Sequence, residues 1–268
     1  MKRPSQGFTM TELLVTLTII LILGGLGYGG IGKALNLAHK AREINAGRNL
    51  ITAYLGYSAD HDGQYLPGMD YTVNQLTKPN GDKITMAHTC QRYAFRLAPY
   101  FNYDIDNILL ASNNADAIKK MNNGSASGGM YDYLVSAFPS FGMNIYFVGG
   151  QIDSMGRNAY PYDCATTLAY NASLLVFATA GSSDGNTKVE GFNILTPPNL
   201  TSGNWSGVAW KPGIDPGSYG NVDARYGGKA LCAFLDGSVR ELSINELRDM
   251  QLWSKNAAAQ KDPNYLIP

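Results

Sequence analysis

The sequence predicts an α+β fold: a long N-terminal helix, with a membrane half and an amphipathic half, packed on a mainly antiparallel β-sheet with long loops. Three observations point there. About twenty uncharged, mostly apolar residues follow Glu12 and run straight into a stripe of apolar residues at helical spacing. Two β-like runs near the C-terminus are joined by Asp236-Gly237. Charged residues make up only 16% of the chain while Gly, Asn, Ser and Tyr abound, a composition that suits a domain rich in turns.

The helix comes first. Leu13 to Leu23 is apolar apart from Thr16 and Thr18, and residues 24–32 are mostly Gly. Each Gly weakens a helix by about 1 kcal/mol. Such a segment is either soft, bending or unwinding on demand, or a close-packing face with the spacing Gly25-x-x-x-Gly29. A Gly-tolerant membrane helix, held by its apolar surroundings, is the plainer alternative. From Lys33 the pattern is amphipathic: Leu35, Ala38, Ala41, Ile44, Leu50, Ile51, Tyr54 and Leu55 fall near one stripe. Lys40, Arg42, Glu43, Arg48 and Asn49 are expected on the other faces. The helix should end near Ala59, before Asp60-His61-Asp62-Gly63 and Pro67-Gly68.

In the middle of the chain, Arg92 to Ala98 and Ile108 to Met121 read as helices. Tyr133 to Phe138, Met143 to Val148 and Leu174 to Thr179 read as strands. Asn122 to Gly129, Gly181 to Gly185 and Pro197 to Gly220 read as loops. Lys229 to Leu235 and Ser238 to Leu242 form a hairpin, its Asp236-Gly237 turn predicted as type I′. Ser243 and Glu246 make a capping box opening a helix to about Trp253, and Pro263 to Pro268 is an irregular tail.

Recognisable catalytic chemistry is missing. His39, His61 and His88 form no metal pair, and neither a Gly-x-Ser-x-Gly elbow nor a phosphate-binding loop occurs. Gly181-Ser182-Ser183-Asp184-Gly185 holds nucleophile and acid types without a base and reads as a polar turn. Lys and Arg, 21 in all, balance 21 Asp and Glu, so no basic field for nucleic acid exists. The three cysteines leave at least one unpaired. Cys232 reads as a small buried hydrophobe. Cys90 and Cys164, in polar contexts, would pair only in an oxidising compartment, and their spacing leaves this open.

The most specific signal is Gly7-Phe8-Thr9-Met10-Thr11-Glu12, preceded by a short basic stretch with Lys2 and Arg3. An acid at the mouth of an apolar helix needs a partner or a function. An ordinary secretory signal has a shorter apolar run, and a plain anchor needs neither Glu12 nor this Gly. The segment resembles the signal of type IV prepilins and type II secretion pseudopilins, with Met10 in a place usually held by Leu. The resemblance implies cleavage between Gly7 and Phe8 by a prepilin peptidase, N-methylation of Phe8, and an assembly role for Glu12, whose carboxylate would pair with a neighbouring subunit's amine. It further implies a leader over 1–7, a transmembrane and assembly helix over 8–31, and an extracytoplasmic pilin-like domain over 32–268. Loss of the leader would leave a formal charge of −2.

A second, looser resemblance is to the pseudopilin-like group of Planctomycetes and Verrucomicrobia, which ends in His, nine residues, then Asp-Gly. Here Tyr226 holds the His place before Asp236-Gly237, and Phe141-Gly142-Met143-Asn144 matches that group's middle segment. Related major pseudopilins bind calcium in a C-terminal loop, for which Asp215, Asn221, Asp223 and Asp236 are the available oxygens. No EF-hand spacing occurs, so neither a metal ligand nor a cofactor is assigned.

The function implied is that of a structural subunit, and not an enzyme. It would belong to a type II secretion pseudopilus or related filament, in the inner membrane as a single-pass protein with its C-terminal domain periplasmic. Its partners would be the peptidase, other subunits, an inner-membrane assembly platform and lipid, with no nucleic acid. The alternatives are a type IV pilin for adhesion, motility or DNA uptake, or a membrane-anchored carbohydrate-binding module, which seventeen Tyr and three Trp would suit.

Overall fold

Helix α1, Met10–Asp60, passes through the Gly-rich residues without interruption. It belongs to a computed structural model that describes residues 9–122, 129–161, 163–168, 173–183 and 188–268, without the side chains of 22–31 and 33. Gly25 and Gly29, and hence their proposed packing role, fall among the latter. The chain divides into two compact units, Met1–Ala41 and Arg42–Pro268.

In the second unit, α1 buries Glu43, Ala46, Leu50, Ile51, Ala53 and Tyr54. Leu50, Ile51 and Tyr54 are fully covered, each burial stabilising the fold by roughly 1.5–3 kcal/mol. The expected stripe therefore begins later than its periodicity suggested, because Leu35, Ala38 and Ala41 are exposed. Glu43, expected on an outer face, is 1% exposed. Counting inward from Tyr54 puts residues 50, 47 and 43 on the same face, so the geometry of the helix overrides the charge.

Beyond α1 come strand β1 (Met69–Asp70), β2 (Leu76–Thr77), β3 (Lys83–Ile84), and helices α2 (Ala87–Gln91) and α3 (Tyr93–Leu97). Helices α4 (Ile105–Ile108), α5 (Asn114–Asn122) and α6 (Met130–Ala137) follow. The single helix expected over 108–121 is thus two, separated by Leu109 to Asn113. The Tyr133 to Phe138 strand is the end of α6: Tyr131, Tyr133 and Leu134 are as compatible with a short amphipathic helix as with a strand.

Strands β4 (Phe141–Met143), β5 (Gln151–Ile152), β6 (Leu175–Thr179), β7 (Ser182–Ser183) and β8 (Lys188–Val189) precede β9 (Lys229–Phe234), β10 (Val239–Ser243) and α7 (Lys255–Gln260). The strand expected over 143–148 ends at Met143, because the buried Asn144 turns the chain. Its amide donates to Leu175 O and Trp253 O, and its oxygen accepts from Phe147 N. The main sheet has the order β10-β9-β6-β4, antiparallel throughout. Ser182 and Ser183, expected in a loop, pair with β8.

Alternation along β9 feeds two cores. Leu231 and Ala233 join a cluster with Leu50, Tyr54, Tyr93 and Phe177. Ala230, Cys232 and Phe234 join one with Trp205, Tyr219, Met250 and Trp253. Both faces of the central strands are covered, which is why β6 and β9 read as continuous apolar runs.

The C-terminal hairpin forms as expected, with a different turn. Gly237 N–H donates to Phe234 O and Phe234 N–H to Ser238 O, and only Gly237 of the two turn residues has positive φ. This is a three-residue loop closing on a glycine bulge, in place of type I′. The Ser243–Glu246 capping box is present, with Glu246 Oε2 accepting from Ser243 N at 2.8 Å. It opens two 3-10 turns, Glu246–Arg248 and Met250–Leu252, broken at the extended Asp249.

Candidate functional site

Two clusters carry chemistry, one in each unit. Gly7 and Phe8 lie outside the described residues, so the first begins at Thr9. Glu12 Oε2 accepts from both Thr9 N and Thr9 Oγ1 at 2.9 Å, and Glu12 N–H donates back to Thr9 Oγ1 at 3.3 Å. This reciprocal capping box starts α1 and ties the carboxylate to the first turn, where the helix dipole favours negative charge. Thr16 and Thr18 donate their hydroxyls to Glu12 O, Leu13 O and Leu14 O, so neither presents an unpaired polar group. Around them Met10, Leu14, Ile20 and Leu21 are 64–88% exposed. Among the described residues no helix is long and apolar enough to cross a membrane. The sequence continues its apolar run through 22–31, whose side chains are not described.

The second cluster surrounds Arg225. Its Nε lies 3.4 Å from Glu43 Oε2, and its Nη1 lies 3.3 Å from Asp223 Oδ2 and 3.6 Å from Glu190 Oε2. Nη2 donates to Ser140 O at 3.1 Å and to Ala180 O at 3.3 Å. Lys188 Nζ reaches Asp223 Oδ1 at 3.4 Å. One guanidinium thus joins α1 to the ends of β4 and β6. Three carboxylates face two cations, and the Tyr226 hydroxyl hydrogen-bonds Glu43. Burial pushes the Glu43 carboxyl up, and Arg225 only partly offsets it. The three carboxylates in turn hold Arg225 charged despite its burial. The cluster is a clamp, with Glu43 and Asp223 buried and Lys188 at its exposed edge.

The cluster was not foreseen from the sequence. Glu43 was the available signal, since an acid in step with Leu50 and Tyr54 on a buried helix face requires a cation. Tyr226, in the place where the resembling group has His, serves this clamp.

Of the oxygens considered for calcium, Asp215 accepts from Gly217 N at the start of a 3-10 turn, Asp236 accepts from Ser238 N and Arg240, and Asp223 faces Arg225 and Lys188. Among the described residues no group of three His, Cys, Asp or Glu is placed to hold a metal ion. Cys90, Cys164 and Cys232 are all buried and free, so the pairing left open for Cys90 and Cys164 does not form. Cys90 sits on α2 with its thiol on Ile84 O, away from a polar loop. Burial pushes the Cys164 thiol up to about 12, which leaves it unreactive.

Residues 2–28 match the family model described as the prokaryotic N-terminal methylation motif. No curated protein and no solved structure matches the chain. The chain therefore carries the prepilin-type signal of type IV pilins and pseudopilins on its N-terminal segment.

Proposed function

We propose that this protein is a pilin-like structural subunit of a type II secretion pseudopilus or a related filament. The observation that carries the reading is the methylation motif over residues 2–28, with Glu12 at the third position of α1. Cleavage between Gly7 and Phe8 places the methylated amine one residue before Thr9. Glu12 accepts from Thr9 N–H, the amide that follows Phe8 in the sequence, which supports pairing of its carboxylate with that amine. A charge pair at this spot is strong when water is excluded. Exchange of the pair from Glu12's own chain to a neighbour's amine would set the register of assembly.

In this reading the N-terminal helix is stored in the inner membrane, and a platform draws subunits into the filament. The exposed Leu and Ile of α1 then find cover first in lipid and later against other subunits. The internally bonded Thr16 and Thr18 are compatible with both surroundings. The folded unit from Arg42 onward remains on the periplasmic side.

The test is intact mass and N-terminal sequencing of the full chain co-expressed with an active prepilin peptidase, alongside a control prepilin. A chain beginning at methylated Phe8 is expected. A chain still beginning at Met1 while the control is processed, or cut beyond Ile31, overturns the reading.

A further inference from the structure

A groove in the second unit, sharing no lining residue with the Arg225 cluster, has the makings of a ligand site. Its cavity of about 310 Å³ lies at the small end of ligand pockets, the size of a single ring. Phe95 from α3, 3% exposed, and the half-buried Tyr131 from α6 present aromatic surface to it. Tyr103 completes the wall from an unusual backbone: Asn102 and Tyr103 are consecutive non-glycine residues at φ +53° and +57°. A bulky side chain in the left-handed region costs about 1–2 kcal/mol. The turn is held by Tyr103 N–H on Ala98 O and by the Tyr103 hydroxyl on Thr77 O. Backbone held in such a conformation by its surroundings is concentrated at ligand sites.

Polar groups border the aromatic surface. Lys78 Nζ is 2.8 Å from Asp132, and the same ammonium sits 5.8 Å from the centre of the Phe95 ring. Asn80, in the β2–β3 turn, adds an amide that bonds Asp82 and keeps a second N–H for a ligand. Lys78 and Asp132 neutralise each other, so the described lining residues carry no net charge with which to select an ion. A wholly apolar group would strip water from the pair and return nothing. A ring with hydroxyls at its edge and C–H groups on its face satisfies both halves at once.

We propose that this groove binds a neutral saccharide ring, stacked on Tyr131 and Tyr103 and hydrogen-bonded to Asp132, Lys78 and Asn80. The proposal stands independently of filament assembly and holds for any processing of the N-terminus. The sugar is either a free glycoside or a unit of a polysaccharide chain.

The experiment is ligand-observed NMR on the full-length chain in detergent, with methyl glycosides of glucose, galactose, mannose and N-acetylglucosamine at low-millimolar concentration. Capture on immobilised polysaccharides is run in parallel. At least one glycoside or polysaccharide is expected to bind, about tenfold more weakly to Tyr131→Ala, while Tyr131→Phe keeps most of the affinity. Asp132→Asn, nearly isosteric, is expected to weaken binding severalfold and serves if Tyr131→Ala loses its unfolding transition. Binding to polysaccharide alone, lost in the variants, identifies the chain form as the ligand. Absence of binding to every sugar probe, or binding indifferent to both variants, overturns the proposal. So does binding of a tryptophan peptide at the groove with no sugar bound.

Discussion

Helix α1 holds the same kinds of residue in two different conditions. Leu13, Leu14, Ile20 and Leu35 are 53–67% exposed, whereas Leu50 and Ile51 are fully buried. Leu50 and Ile51 have partners within the chain: α3, β6 and β9 supply Tyr93, Phe177 and Leu231. The acids differ in the same way. Glu12 is exposed, its carboxylate accepting from Thr9, while Glu43 is buried and clamped by Arg225. Hydrophobicity and charge on this helix therefore serve folding in one half. In the other half the apolar side chains are exposed, as the proposed cover by lipid and neighbouring subunits requires.

The sharpest way to break the contrast is at the clamp. Arg225→Ala removes the cation that faces Glu43, Asp223 and Glu190 together, and should destabilise the fold by about 3–5 kcal/mol in denaturant titration. A loss below about 1 kcal/mol would mean that water enters the cluster and the clamp contributes little.

Next comes a matched pair of truncations. Leu50→Ala should lower unfolding free energy by about 2–5 kcal/mol, whereas Leu14→Ala should change it by less than about 0.5 kcal/mol. Equal effects would show that the N-terminal residues are packed against the folded unit after all.

Glu43→Gln gives a smaller and pH-dependent effect. The folded protein holds the Glu43 proton to higher pH than the unfolded chain, whose ordinary value is 4.5. Folded protein therefore binds more protons between the two values. Stability from this group is full below 4.5 and declines as pH rises through the raised folded value. Gln removes that decline, so unfolding free energy measured across this window should fall less steeply in the variant. A slope as steep as in the parent would assign the pH dependence to another group.

The smallest effect is expected at the hairpin. Gly237 has φ +79° with open space around it, so Gly237→Ala meets only backbone strain, about 1 kcal/mol. A neutral result would mean that the turn relaxes to another form.

Much of the fold was legible because its signals are local. The extent of α1, the strand at Leu175–Thr179, the hairpin and the Ser243 capping box each rest on residues within a few positions of one another. Where tertiary context decided, local reading failed. The segment 133–138 is helical, and Asn144 stops a strand by bonding to Leu175 and to Trp253, over a hundred residues away. The Asp236-Gly237 pair marks a turn but not its type, since Leu235, the first of the three loop residues, is also part of the core.

The sequence by itself determined the N-terminal signal, because a peptidase reads contiguous residues and Gly7 to Glu12 need no fold to be recognised. It also determined that a helix-bearing α+β domain follows, since periodicity is a property of neighbours. Only the tertiary structure decided which acid is buried, that Arg225 meets Glu43 and Glu190 from distant segments beside its neighbour Asp223, and that Phe95, Tyr103 and Tyr131 share one groove. Glu43 and Arg225 lie 182 positions apart, and Phe95 and Tyr131 lie 36 apart. What joins them is the burial of apolar surface on both faces of one sheet, a collective effect that no short stretch of residues encodes.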